Sequence, residues 1–150
     1  MKTVEIFTDG ACSGNPGRGG YGIILRYKGV EKELSAAFND TTNNRMELSA
    51  VIDALKYLKE PCIVELYSDS KYVIDSVTKG WVYEWQRNNW IKKDRKRALN
   101  VDLWEELLQE LCIHKVNFHW VKGHNDHPEN ERCDRLAVSA IKSLDEDDSL

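Results

Sequence analysis

The chain has 150 residues, 41% apolar and 31% charged, with a formal net charge of −4. That length holds one domain with a core of its own, and the balance is that of a globular protein rather than a disordered or fibrous one. No stretch approaches the roughly 18 successive apolar residues of a membrane helix, and Met1-Lys2-Thr3-Val4-Glu5 lacks the pattern of a secretory leader, so the expected location is the cytosol.

Thr3–Thr8 predicts a first strand, and Gly10–Gly20 a glycine-rich turn after it. Tyr21–Tyr27 and Glu31–Phe38 flank Lys28-Gly29 and predict a hairpin. Thr41-Thr42-Asn43-Asn44 supplies capping residues for a helix to about Leu58, with Leu48, Val51, Ile52, Leu55 and Leu58 as its apolar stripe. Cys62–Ser68 predicts a buried strand. Asp69-Ser70 then opens a short helix through Val73, Ile74 and Val77 that Gly80 stops. Residues 81–99 are rich in tryptophan and cations. Trp81, Trp85 and Trp104 are expected to pack locally. Asn100 is expected to cap a helix bearing Leu103, Leu107, Leu108 and Leu111, and Val116, Phe118 and Trp120 alternate as a last strand. Lys122–Asn130 forms a loop with Gly123, His124, His127 and Pro128, before a final helix through Leu136, Ala137, Ala140, Ile141 and Leu144.

Five strands in the order strand, hairpin, then helices alternating with strands predict an α/β fold: a mixed sheet with helices packed on its faces. The domain is expected over residues 1–142, with a basic protrusion at about 81–99. Residues 143–150, too acidic and polar to pack, are expected to be disordered.

Charge is unevenly spread. Asp145-Glu146-Asp147-Asp148 accounts for the whole net charge. Residues 79–97 set Lys79, Arg87, Lys92, Lys93, Arg95, Lys96 and Arg97 against only Glu84 and Asp94. A neutral body with one basic segment suits a polyanion met over a limited surface. Cys12, Cys62, Cys112 and Cys133 show no Cys-x-x-Cys spacing and are expected to be free thiols, which disfavours a zinc-binding interaction module.

Four carboxylates carry the chemistry. Asp9 and Asp69 end two apolar runs, and sites in open α/β sheets form beyond the carboxyl ends of strands. Glu47 and Asp134 border the apolar stripes of two helices, so both can close a cluster at the sheet end. Asp69, ahead of Ser70, could alternatively be a plain helix cap. Acids drawn together from distant parts of a chain repel strongly unless something positive sits between them. Hard divalent ions such as Mg²⁺ or Mn²⁺ resolve that repulsion, and a pair of them can serve phosphodiester hydrolysis.

The motifs Ile6-Phe7-Thr8-Asp9-Gly10-Ala11-Cys12 with Gly14-Asn15-Pro16-Gly17, Thr41–Leu48, Tyr67–Val73, Trp120-Val121-Lys122-Gly123-His124 and Asn130-Glu131-Arg132-Cys133-Asp134 resemble, in order and spacing, those of ribonuclease H, type 1. The resemblance covers about Lys2 to Leu144. It implies the ribonuclease H-like fold and hydrolysis of the RNA strand of an RNA–DNA hybrid, leaving 5′-phosphate and 3′-hydroxyl ends. Removal of RNA primers and R-loops is the role it implies. Two Mg²⁺ ions are implied as cofactors, with Mn²⁺ able to substitute. Asp9 would be shared by both ions, Glu47 and Asp69 would hold one, and Asp134 the other.

By the same resemblance His124 is a proton relay or product-release group, in keeping with an imidazole that titrates near neutrality. Cys12, Asn15, Asn43 and Asn44 would meet the minor groove where the RNA 2′-hydroxyl marks RNA from DNA, with Tyr72 packed beside it. Thr42 and Asn15 would hold DNA-strand phosphates. Lys92, Lys93, Arg95, Lys96 and Arg97 would contact phosphates from the protrusion. The hybrid duplex is the expected partner, no membrane is expected, and the protein is expected to be a monomer. The competing readings are a hybrid-binding module without catalysis and a metal-dependent nuclease acting on DNA. All four acids are present, against the first, and the Asn43-Asn44 pair with the protrusion weighs against the second.

Overall fold

The first strand outruns its apolar stretch. In the computed structural model, which describes residues 1–122 and 127–148 apart from the side chains of 145, 147 and 148, β1 spans Lys2–Cys12. It continues past Thr8 because Asp9, Gly10, Ala11 and Cys12 pair with Gly22, Tyr21, Gly20 and Gly19 of the antiparallel β2 (Gly17–Tyr27). The glycine-rich stretch expected as a turn is therefore mostly ladder, and only residues 13–16 turn the chain, closed by Ser13 N–H donating to Arg18 O at 2.7 Å. Gly22 shows why glycine is needed there: a Cβ on it would lie 2.1 Å from the carbonyl oxygen of Cys133, on the last helix.

β3 (Val30–Thr41) completes the meander. The chain then runs through α1 (Asn43–Tyr57), β4 (Cys62–Ser68), α2 (Lys71–Thr78), α3 (Trp81–Arg87), α4 (Val101–Ile113), β5 (Lys115–Trp120) and α5 (Pro128–Asp148). The sheet order is β3-β2-β1-β4-β5, with β1 parallel to β4 and β4 parallel to β5. This is the mixed five-stranded sheet expected from the element order. Strand alternation divides the core. Ile6, Ile23, Leu25, Val64 and Leu66 face α1 and α4, where Leu48, Val51, Ile52, Leu55, Trp104 and Leu107 pack. Phe7 and Ile24 face α5, against Cys133 and Leu136.

Three details depart from expectation. Asn100 occupies the cap position of α4 but in a left-handed conformation (φ 60), with no capping bond. Its side chain instead bridges Arg45 and the Tyr72 hydroxyl, a stronger call on it than the helix N–H groups. Trp104 is fully buried and Trp85 meets it edge-on at 6.2 Å, but Trp81 is 41% exposed because α3 ends after two turns and presents that side to solvent. The acidic segment expected to be disordered from residue 143 is helical to Asp148. Leu144 keeps the apolar face of Ala137, Ala140 and Ile141 going, and an established helix adds one hydrogen bond per residue at little cost.

Gly22→Ala should destabilise the fold by about 2–3 kcal/mol, because the new methyl must displace α5 backbone rather than a flexible side chain. Urea unfolding followed by circular dichroism measures this, and a loss under about 0.5 kcal/mol would contradict the helix–sheet contact.

Candidate active site

Asp9 and Asp69 meet where β1 and β4 part. The parallel ladder ends at Phe7↔Tyr67, and beyond it β1 pairs only with β2 while β4 closes on β5 at Ser68↔Trp120. Asp9 lies two residues past the last pair, and Asp69 follows β4 directly. Val121 N–H donates to Ser68 O at 2.9 Å and the Trp120 indole N–H to Asp69 O at 3.2 Å, which fixes the backbone of that exit. The cap of α2 is Ser70, whose hydroxyl accepts from Val73 N–H at 3.2 Å, so Asp69 is not the cap.

Glu47 arrives from α1, which Thr42 caps by accepting from Arg45 N–H at 3.2 Å. Gly10 lets it in. A Cβ there would lie 2.8 Å from Glu47 Oε1 and 2.9 Å from Glu47 N. The Gly10 N–H is shared, donating to Glu47 Oε1 at 2.5 Å and to Asp9 Oδ1 at 3.0 Å, and the Ser68 hydroxyl donates to Glu47 Oε2 at 3.5 Å. Asp9 and Glu47 are buried and Asp69 half-buried, and one carboxylate oxygen of each lies within 4.8 Å of the others.

Asp134 comes from α5. Arg26 ties that helix to the sheet by donating to Glu129 at 3.1 Å and Glu31 at 2.7 Å, and Arg132 does the same through Glu31 at 3.2 Å and Glu33 at 2.7 Å. Asp134 is half-buried and lines one cleft of about 330 Å³ together with Asp9, Glu47, Asp69, Asn43, Asn44 and Tyr72. All four predicted acids thus share a wall of the same cleft, where Lys71 is the only lining cation among the described residues.

Burial, and then the charges of Glu47, Asp69 and Asp134, push the Asp9 carboxyl far above the usual range. Burial and the Asp69 charge raise Glu47, against the lowering pull of the Gly10 N–H. Such a site favours protons or cations. Its donors are carboxylate oxygens alone, with no thiolate or imidazole among the clustered ligands of the described residues, the set that suits hard divalent ions of the Mg²⁺ and Mn²⁺ class.

The predicted substrate residues divide into two groups. Asn43, Asn44 and Tyr72 line the acidic cleft. Asn15 adjoins it, accepting from Asn43 N–H at 3.3 Å, and Cys12 packs its thiol on the carbonyls of Gly14, Gly17 and Thr41. Thr42 spends its hydroxyl on the helix cap. Lys92, Lys93, Arg95, Lys96 and Arg97 sit on the loop between α3 and α4, pinned by the Ile91↔Arg97 bridge and by Lys92 N–H donating to Lys96 O at 2.8 Å; none lines the cleft. Lys92 pairs with Asp94 at 3.7 Å, and the other four cations are exposed. His124 lies outside the described residues. All four cysteines are free thiols, as their spacing implied. Lys71 and Asn130 both fall inside the motifs, yet local pattern assigns neither a role; the fold sets Lys71 on the wall of the acidic cleft and Asn130 against the carbonyls of Thr8 and Tyr67.

A family model described as RNase H matches residues 1–142. The chain is 58% identical over 142 residues to the ribonuclease H of Desulforamulus reducens, covering 95% of this chain and 89% of that protein. It is 54% identical over 149 residues to the ribonuclease H of Aliivibrio salmonicida, covering 99% and 94%. Among solved structures, LC9-RNase H1, a type 1 RNase H with the type 2 active-site motif, superposes with a TM-score of 0.82 at 31% identity, covering 95% of this chain and 74% of that one. LC11-RNase H1, solved in complex with an RNA/DNA hybrid, shares the fold with a TM-score of 0.67 at 23% identity, covering 94% and 98%.

Because Asp9 and Glu47 hold protons more tightly folded than unfolded, their contribution to metal-free stability is complete below about pH 4 and is lost progressively as pH rises to about 8 for Glu47 and about 10 for Asp9. Asp9→Asn should therefore raise the Tm of the chelator-treated protein at pH 8, on the order of 5 °C, and flatten its decline between pH 5 and 8. Thermal melts with and without a divalent salt test this; a lower Tm for the variant in chelator at pH 8 would refute the repulsion.

Proposed function

The chain belongs to the RNase H family, and on that premise we propose that it cleaves the RNA strand of RNA–DNA hybrids internally, with Asp9, Glu47, Asp69 and Asp134 holding two Mg²⁺ ions for which Mn²⁺ can substitute. It is a phosphodiester hydrolase, an endoribonuclease that leaves 5′-phosphate and 3′-hydroxyl ends. The observation that carries the reading is the convergence of three carboxylates within 4.8 Å at the open end of the sheet, with Asp134 on the same cleft. When bound, a pair of divalent ions supplies Lewis acidity for the attacking water and the departing oxygen. In this reading Asp9 serves both ions, Glu47 and Asp69 complete one set of ligands, and Asp134 belongs to the other.

The protein's own groups then orient and select. Asn43 and Asn44 present amides at the cleft mouth for base edges and the 2′-hydroxyl, and Cys12 and Asn15 bring the β1–β2 turn against the same groove. Tyr72 accepts from Asn100 at 3.1 Å and from the Trp104 indole at 3.0 Å, which fixes its ring at the cleft wall. Thr42 and Asn15 flank the DNA strand, and His124 moves a proton or releases product. Lys92, Lys93, Arg95, Lys96 and Arg97 meet phosphates away from the reacting bond. The protein acts as a cytoplasmic monomer in removing primers and R-loops; no helix among the described residues is long and apolar enough to cross a membrane. Cleavage assays on RNA–DNA hybrid, RNA duplex and DNA duplex, with and without Mg²⁺, test the whole reading: only the hybrid with Mg²⁺ should be cut.

Asp9→Asn should abolish hybrid cleavage while hybrid binding persists, since the amide keeps the shape but loses the charge that holds cations. Near-wild-type turnover by the folded variant in Mg²⁺ would defeat the ligand assignment. Neutralising Lys92, Lys93, Arg95, Lys96 and Arg97 together should raise KM strongly and leave kcat at saturation nearly intact. The salt dependence of binding should become shallower by about one unit of slope for each phosphate no longer neutralised. A Michaelis–Menten titration and a salt series decide; an unchanged KM and slope would make the protrusion a solvated surface.

A further inference from the structure

We propose that Asn130 is a positioning residue that sets the spacing of Asp9 and Asp69 by pinning β1 to β4 just where their ladder ends. Its amide nitrogen donates to Thr8 O at 3.2 Å and to Tyr67 O at 3.3 Å. Thr8 immediately precedes Asp9, and Tyr67 stands two residues before Asp69. The last pair of the parallel ladder is Phe7↔Tyr67, so these two carbonyls sit at the fork from which the strands diverge. One side chain thus spans the gap that backbone pairing has stopped bridging.

The amide suits this place in a way an apolar residue cannot match. Asn130 is 1% exposed, and its Oδ1 has no hydrogen-bond partner among the described residues. A buried amide with one unsatisfied end is costly, and an apolar residue of similar volume would avoid the cost. What the amide alone supplies is two N–H donors at a single point, matched here to two carbonyls on different strands. The reverse orientation would set Oδ1 against both carbonyls, so the hydrogen-bond pattern fixes which way the group faces. The helix reinforces the register. Cys133 Sγ donates to Phe7 O at 3.3 Å, and Asp134 lies one turn beyond Asn130 on the same face of α5. The fork and the fourth acid are therefore set by one rigid segment.

The proposal rests on the reading of Asp9 and Asp69 as cation ligands, and the test separates the two. Asn130→Ala and Asn130→Leu are compared with the wild type and with Asn117→Ala, a control on exposed β5. In the chelator-treated protein, amide hydrogen exchange at Asp9, Gly10 and Asp69 should speed at least tenfold in both Asn130 variants, with protection in α1 and α4 unchanged. Calorimetry should show Mg²⁺ affinity weakened at least tenfold, and kcat on hybrid should fall with KM unchanged. Wild-type exchange and Mg²⁺ affinity in a folded Asn130→Leu would overturn the proposal, and so would failure of both variants to fold, which would make Asn130 a purely structural residue. If the wild type itself binds no Mg²⁺, the proposed function fails while the exchange measurement still judges the clamp.

Discussion

Repulsion among buried carboxylates is the constraint around which the rest of this structure is arranged. Asp9 and Glu47 are more than nine-tenths buried and share one backbone N–H, that of Gly10. Unscreened charges at such range destabilise a fold unless they are protonated or bridged by a cation. The fold keeps them together by making their supports independent of them. Asp9 is locked in an antiparallel ladder, Glu47 stands on a helix whose stripe is deep in the core, and Asp69 leaves a strand held on both sides. Each acid is held by interactions that would survive its removal, so the repulsion remains available to bind cations instead of relaxing.

The glycines and the ion pairs serve that arrangement differently. Gly10 and Gly22 let α1 and α5 approach the sheet closer than any side chain would allow, from its two faces. The Arg26 and Arg132 networks lie on a half-exposed rim, where ion pairs add little to stability. Their value is orientation: they set the rotation of α5 on β2 and β3, and with it the direction from which Asp134 enters the cleft.

Most of the fold and the acid set is legible from sequence because the element order and the ends of the apolar runs carry it. The strand Cys62–Ser68, the capped helix after Thr42 and Asp69 at the end of that strand all follow from local pattern, whereas Asp9, expected to end its strand, lies inside β1, whose pairing with β2 runs on to Cys12. The departures share one cause. The glycine-rich stretch reads as a turn because local chemistry cannot tell a glycine that bends the chain from one that admits a helix. Asn100 reads as a cap because its tertiary partners Tyr72 and Arg45 lie 28 and 55 residues away. The acidic end reads as disordered because composition does not register an apolar face already begun at Ala137. Asn130, plainly visible in its motif, acquires meaning only from two carbonyls 122 and 63 residues distant.

The parallel pairing of β1 with β4, closed over by α5, also gives the molecule a temporal order. Its acids come from positions 9, 47, 69 and 134, and the central pairing joins residues 2–7 to 62–67. Contacts of that sequence separation form late, after the local hairpin and helices. The meander of β1, β2 and β3 can therefore pair before α5 docks, and the four acids come to share one cleft only once that helix is seated on the sheet.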